Sequence, residues 1–184
     1  MNEAALGSLI VRRAESLGAL LRAQRLALVT AESCTAGGIS YAVTSVAGSS
    51  AWFDRGFITY SNESKLQVLG VSPVYLRDFG AVSEPVARSM ALGALTHSAA
   101  QAAIAVTGIA GPDGGTADKP VGTVCFAWAI RRRAPEGRER NAMTAPWVRT
   151  ATRHFEGDRA AVRAQAIVAA LEGQIALLEQ RQDV

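Results

Sequence analysis

The stretch LALVTAESCTAGG, Leu26 to Gly38, decides the fold. Its first five residues, Leu26 to Thr30, form a short apolar run between polar flanks, the pattern of a strand covered on both faces. The small residues from Glu32 to Gly38 then make a turn, and a helix follows to about Val46. Strand, glycine turn and helix in that order are an α/β unit. Upstream, apolar residues between Ala5 and Leu21 recur at helical spacing with Arg12, Arg13 and Glu15 on the opposite side, which predicts an amphipathic helix. Downstream, Gly48, Ser49 and Ser50 interrupt the pattern, Phe57 to Tyr60 reads as a strand, and Asn62 is placed to cap a short helix over Glu63 to Leu69. Ser83, Glu84 and Pro85 announce a helix from about Val86 to Ala100. A strand over Ala103 to Thr107 enters the densest glycine cluster, Gly108 to Gly115, and Val121 to Ile130 is a further strand. Trp147 to Phe155 is the last strand and Asp158 to Glu179 the last helix. The alternation predicts a single-domain three-layer α/β/α sandwich over residues 1–184, with the Arg-rich stretch 131–146 as an exposed excursion.

Composition fits that architecture. A chain of 184 residues matches one domain of about 100 to 200 residues. With 49% hydrophobic and 19% charged residues it can bury a core, and 6% aromatic content predicts a core of aliphatic residues and alanine. The formal charge of +3 equals the surplus in Arg131 to Arg140, which holds five Arg and two Glu, so the rest of the chain is neutral. One charged loop without interleaved aromatics does not make a nucleic-acid surface. Cys34 and Cys125 have neither zinc-knuckle spacing nor the density of a disulfide scaffold, which fits a reducing cytoplasm. Glu3, Arg12 and Arg13 break up the N-terminal apolar residues, so neither an export signal nor a membrane span is expected. Alanine-rich helix faces point to a homo-oligomer of unspecified stoichiometry.

The inventory of reactive side chains narrows the chemistry. Two histidines, His97 and His154, cannot build a metal site of several imidazoles. The glycine clusters match neither GxxxxGK[ST] nor GxGxxG, which sets aside the ATPase phosphate loop and the Rossmann fingerprint. Two glycine-rich loops remain at predicted strand ends, Ser33 to Gly38 and Thr107 to Gly115. One such loop is only a tight turn, but two at equivalent ends point to a pocket for a phosphate-bearing ligand.

Lys65 is one of two lysines against seventeen arginines, and it sits near a helix start where the dipole disfavours added positive charge. A lysine whose pKa falls from ~10.4 towards ~7 or 8 can act as a general base, which arginine cannot. A surface lysine paired with Glu63 or Asp54 is the competing reading. A lysine base needs a hydroxyl partner, and Ser50 stands at a chain reversal upstream. An extended run from 50 to 60 would span ~33 Å at ~3.3 Å per residue. The pairing therefore requires a helical turn from about Ser50 to Asp54, ended near Gly56, with only Phe57 to Ser61 extended. Tyr60 then lies close enough to share the proton network.

Six segments, AESCTAGG (31–38), AGSSAWFDRGFITYSNESK (47–65), GAVSEPVA (80–87), TGIAGPDGG (107–115), KPVGTV (119–124) and FEGDRAAVR (155–163), follow one another along nearly the whole chain. In them the chain resembles the CinA C-terminal domain family, whose stand-alone members are nicotinamide mononucleotide amidohydrolases. The resemblance implies hydrolysis of the carboxamide of nicotinamide mononucleotide to nicotinic acid mononucleotide and ammonia, with no metal, nucleotide or redox cofactor. It implies Ser50 as nucleophile, Lys65 as general base and Tyr60 as a hydrogen-bonding partner for the proton. Ser33 and Thr107 would line the pocket. Arg159 would approach from the last helix, to hold the ligand phosphate or to repel the proton on Lys65. Two features depart from the family. Ala36 stands where glycine is common, which predicts an ordinary backbone there, and the 131–146 stretch is longer than the usual connection. The N-terminal nucleotide-hydrolysing domain of full-length CinA proteins does not fit within 184 residues. A non-catalytic binding or regulatory module linked to DNA uptake is the alternative, and the intact Ser50, Tyr60 and Lys65 set argues against it.

Overall fold

The computed structural model describes residues 3–131 and 145–180. Its strands are β1 (Leu28–Glu32), β2 (Phe53–Ile58), β3 (Ala102–Gly108), β4 (Thr123–Ile130) and β5 (Trp147–His154), joined in one sheet of order β2-β1-β3-β4-β5. β1 runs parallel to both β2 and β3, while β4 and β5 continue the sheet antiparallel. Helices α1 (Glu3–Ala23), α2 (Gly38–Thr44) and α6 (Arg159–Gln180) cover one face. Helices α3 (Asn62–Leu69), α4 (Pro73–Phe79) and α5 (Glu84–Thr96) cover the other, completing the expected three-layer α/β/α sandwich.

Covering both faces explains why the inner strands are apolar throughout, since successive residues point to opposite layers. In β3, Ala102, Ile104 and Val106 join the core beneath α1 and α6, whereas Ala103 and Ala105 join the core beneath α5. The core is aliphatic and alanine-rich as composition predicts, with a few large aromatic exceptions. Phe126 and Trp128 stack with ring centres 5.5 Å apart, and Trp128 Nε1 donates to the Ala170 carbonyl of α6 at 2.8 Å. By length and composition α6 could cross a membrane. Here Val162, Ala166, Ala170, Leu171 and Leu177 bury it in the sandwich.

The structure corrects the chain between α2 and α3. Only Ser49–Ala51 forms a helical turn, and β2 begins at Phe53 rather than near Phe57. As an edge strand, β2 leaves Asp54 and Arg55 exposed, which hides the apolar pattern of a buried strand. Gly56 does not terminate a helix. A Cβ there would lie 2.3 Å from Ser40 Oγ and 2.8 Å from Thr30 Oγ1, so its absence lets α2 settle onto the sheet. The cap of α3 is Ser61, not Asn62, because Ser61 and Ser64 bond reciprocally: Ser64 N donates to Ser61 Oγ at 3.0 Å and Ser61 N to Ser64 Oγ at 3.1 Å. Apart from Arg131 and residues 145–146, the Arg-rich excursion lies outside the described residues.

Candidate active site

The parallel strands β1, β2 and β3 deliver their C-terminal ends side by side, and the candidate site forms there. Ser33 follows β1 directly, its amide bonded to Val106 O of β3 at 3.0 Å. Glu32, the last residue of β1, is fully buried, and its carboxylate organises the turn into α2. One oxygen, Oε2, accepts from Thr35 Oγ1 (2.7 Å), Gly37 N (3.1 Å) and Ile39 N (3.0 Å). The other, Oε1, accepts from Ser40 N (2.8 Å) and Ser40 Oγ (2.7 Å). Five donors at the start of α2 replace the water a carboxylate would otherwise keep. The turn they enforce puts Ala36 at φ 48° and Gly37 at φ 90°. Ala36 thus adopts the left-handed backbone, against the expectation of an ordinary one; the bonds gathered by Glu32 override the local preference of alanine.

Lys65 reaches this turn from α3. Its side chain is 1% exposed, and Nζ donates to Ser33 Oγ at 3.1 Å and to Thr59 O at 2.8 Å. Burial lowers its pKa from the ordinary 10.5, with the neighbouring Cys34 opposing that shift. Burial also pushes the Cys34 thiol up to about 12, so Cys34 is a neutral neighbour at ordinary pH. The helix carrying Lys65 is held close to α5, since a Cβ on Gly93 would fall 2.0 Å from Leu69 O.

Around this pair, Arg159 bridges two elements, donating to Tyr60 Oη at 2.6 Å and to Gly111 O at 2.9 Å. Arg163, one turn further along α6, donates to Thr35 O at 2.9 Å. Tyr60 is 58% exposed and stands at the rim. Thr107 ends up beside Ser33 on β3, but its hydroxyl proton is committed to Ala81 O at 2.9 Å.

The structure gathers Ser33, Tyr60, Lys65, Thr107 and Arg159, and it does not bring Ser50 to them. Ser50 lies in the turn before β2, where Trp52 O accepts from Leu28 N at the start of β1, whereas Lys65 is anchored beyond the other end of β2. Five steps of ~3.3 Å between the six strand residues keep those ends about 17 Å apart. The hydroxyl beside the Lys65 amine is that of Ser33. Glu32 and Thr59 belong to the site without having been singled out in the sequence. An acid closing an otherwise apolar buried strand, followed by Ser-Cys-Thr, was the available signal for Glu32, because such a carboxylate must find donors.

A buried amine of lowered proton affinity touching a serine hydroxyl, flanked by two guanidinium groups, is equipped for acyl transfer on an anionic substrate. Comparison with known proteins agrees with the assembled segments. The model of the CinA C-terminal domain matches residues 11–178. A nicotinamide-nucleotide amidohydrolase PncC of Enterobacter agglomerans is 52% identical over 156 residues, 85% of this chain and 87% of that protein. The protein of the same name from Escherichia coli (strain K12) is 48% identical over 89% of this chain and 91% of its own length. Among solved structures, the competence/damage inducible protein CihA from Agrobacterium tumefaciens superposes with a TM-score of 0.80 at 41% identity, covering 92% of this chain and 95% of the other. On the match of its sequence and the agreement of its fold, this chain belongs to the CinA C-terminal domain family.

Proposed function

We propose that this protein is an amidohydrolase that converts nicotinamide mononucleotide to nicotinic acid mononucleotide and ammonia, with Ser33 as nucleophile and Lys65 as its base. Two amidohydrolases named for nicotinamide nucleotides, each matching most of this chain at about half identity, support the substrate. The observation that carries the mechanism is the 3.1 Å contact between Lys65 Nζ and Ser33 Oγ, inside a site that lowers the proton affinity of the amine.

In the neutral state the Lys65 lone pair takes the Ser33 hydroxyl proton while Oγ bonds to the amide carbon. The carbonyl oxygen becomes negative and is received by backbone amides. In the 33–38 turn those of Ser33, Ala36, Gly37 and Gly38 already bond within the protein and that of Cys34 faces its own sulfur, which leaves Thr35 as the candidate. Collapse of the adduct breaks the carbon–nitrogen bond, and Lys65 returns its proton to the departing ammonia. Water, deprotonated by Lys65, then bonds to the ester carbon, the bond to Ser33 Oγ breaks as Lys65 returns the proton to that oxygen, and the acid leaves as its carboxylate, its own proton passing to solvent. Arg159 and Arg163 supply the positive charge for the phosphate, with Tyr60 held at the rim by Arg159. Free, buried Cys34 and Cys125 support a reducing cytoplasm as its compartment, and self-association without a nucleic-acid partner completes the proposal.

Ammonia release from nicotinamide mononucleotide tests this with Ser33→Ala, Lys65→Met and Ser50→Ala beside the wild type. The expected result is a loss of at least about 10³-fold in the first two, with Ser50→Ala within about twofold of wild type. Full activity in Ser33→Ala, or no ammonia from the wild-type protein, rejects the assignment, the latter in favour of a binding module.

A further inference from the structure

Among the described residues four buried side-chain polar atoms have no partner, on Trp52, Gln174 and Thr59, and that of Thr59 is the one beside the site. Thr59 is fully buried, and its Oγ1 has no hydrogen-bond partner among the described residues. A site that asks nothing of a hydroxyl is better filled by valine, which has the same shape and no polar atom to strand. The backbone of Thr59 is fully engaged: its amide donates to Glu32 O at 2.8 Å, extending the β1–β2 ladder by one residue, and its carbonyl accepts from Lys65 Nζ at 2.8 Å. Two residues earlier, Phe57 packs into the core beneath α5, with Leu69 of α3. Strand alternation sends the Thr59 side chain into that same layer, which holds Lys65.

The donor count of Lys65 changes during the proposed reaction. A neutral amine has two N–H groups; after it takes the Ser33 proton it has three. Ser33 Oγ and Thr59 O are the two acceptors its nitrogen meets. We propose that Thr59 Oγ1, unbonded in this structure, becomes the third by rotation of its side chain, making Thr59 a positioning residue that holds the Lys65 ammonium while the proton is in transit. The Ser33 O–H bond breaks and an Nζ–H bond forms, and Thr59 gives and takes no proton. The charged and titratable groups around the amine are few. Cys34 faces it from the β1–α2 turn; beyond lie the inward-bonded Glu32 of β1, Tyr60 tied to Arg159 after β2, Arg163 of α6 bonded to Thr35 O, and Glu63 on α3 itself. Thr107 of β3 has its hydroxyl turned to Ala81 O.

This inference rests on Lys65 acting as the base, so the test separates the two. Full-length Thr59→Val and Thr59→Ser are compared with wild type, with Ser33→Ala as the arm that tests the reaction itself. Lysine side-chain carbons are titrated by NMR, where two lysines give two signals and Lys119→Arg identifies the second. In Thr59→Val, with thermal stability unchanged or raised, the Lys65 midpoint falls by about one pH unit and kcat by about tenfold. KM stays within about twofold, the acid limb of the rate profile moves to lower pH, and Thr59→Ser restores both quantities. A Lys65 midpoint in Thr59→Val equal to that of wild type overturns the inference, whatever the rates. A Ser33→Ala protein of full activity rejects the underlying reaction, and the NMR comparison then still decides where the Thr59 hydroxyl bonds.

Discussion

Replacing Glu32 by glutamine removes one charge and almost no volume, so its effect isolates the demand of the β1–α2 turn for a carboxylate. All five groups that meet Glu32 are donors, three at Oε2 and two at Oε1. A glutamine amide keeps one oxygen, and its NH2 group must face donors whichever way it turns. The better orientation leaves the oxygen with Thr35, Gly37 and Ile39 and points the nitrogen at Ser40, whose hydroxyl can rotate to accept but whose amide cannot. One buried N–H is orphaned at about 1–3 kcal/mol, and the bonds that stay lose charge assistance, for a total of about 2–4 kcal/mol. Against a typical stability of 5–15 kcal/mol that is a large fraction. At roughly 2–4 °C per kcal/mol in a chain of this size, it lowers Tm by roughly 5–15 °C. Urea denaturation followed by tryptophan fluorescence measures the difference, and turnover of the folded fraction falls with it because Ser33 adjoins the distorted turn. A Glu32→Gln protein within about 0.5 kcal/mol of wild type would refute the claim that the carboxylate shapes the turn.

Two further outcomes follow from the same site. Because burial depresses the Lys65 pKa in the folded state, the unfolded chain binds the extra proton between that value and 10.5. Lys65 therefore makes stability rise with pH through that window and fall as pH drops through the folded value. Denaturation followed from neutral pH towards 10.5 should give a more positive slope for wild type than for Lys65→Met, which carries the same cysteines, and parallel slopes would contradict the buried placement. Ala36→Gly relieves the left-handed strain at φ 48° and should stabilise the protein by about 0.5–1 kcal/mol. Thermal unfolding at matched protein concentration measures it, and a destabilised Ala36→Gly protein would be inconsistent with that backbone.

Much of the sandwich is legible in the residues because β1, β3 and β4 are continuous apolar runs and α6 carries a helical period. β2 is not, since Asp54, Arg55 and Gly56 on an edge strand look like a turn. That misplacement also misdirects the choice of serine. Sequence distance puts Ser50 nearer Lys65 than Ser33, but parallel pairing of β1 with β2 brings residue 33 to the end of the sheet that Lys65 reaches and leaves residue 50 at the opposite end. Lys65 stands out as a rare lysine near a helix start, whereas its desolvation arises only once α3, α5 and the serine turn are packed together. The positive φ at Ala36 is hidden for a similar reason, because it is imposed by a carboxylate whose donors lie up to eight residues along the chain.

Helices α1 and α6 lie side by side, joined by Arg13 to Glu172 at 2.9 Å and, just past the end of α1, by Gln24 to Leu178 O at 3.1 Å, with Leu17 and Leu21 of α1 buried in the same core. During translation α1 is made before α6, so the part of its apolar stripe that α6 covers stays exposed until α6 follows. Arg159, which fastens Tyr60 and the Gly111 loop, arrives equally late. Nascent chains therefore carry an incompletely covered apolar helix until α6 is made, and the same helix completes the pocket rim, which makes that interval the time when this fold most needs protection from aggregation.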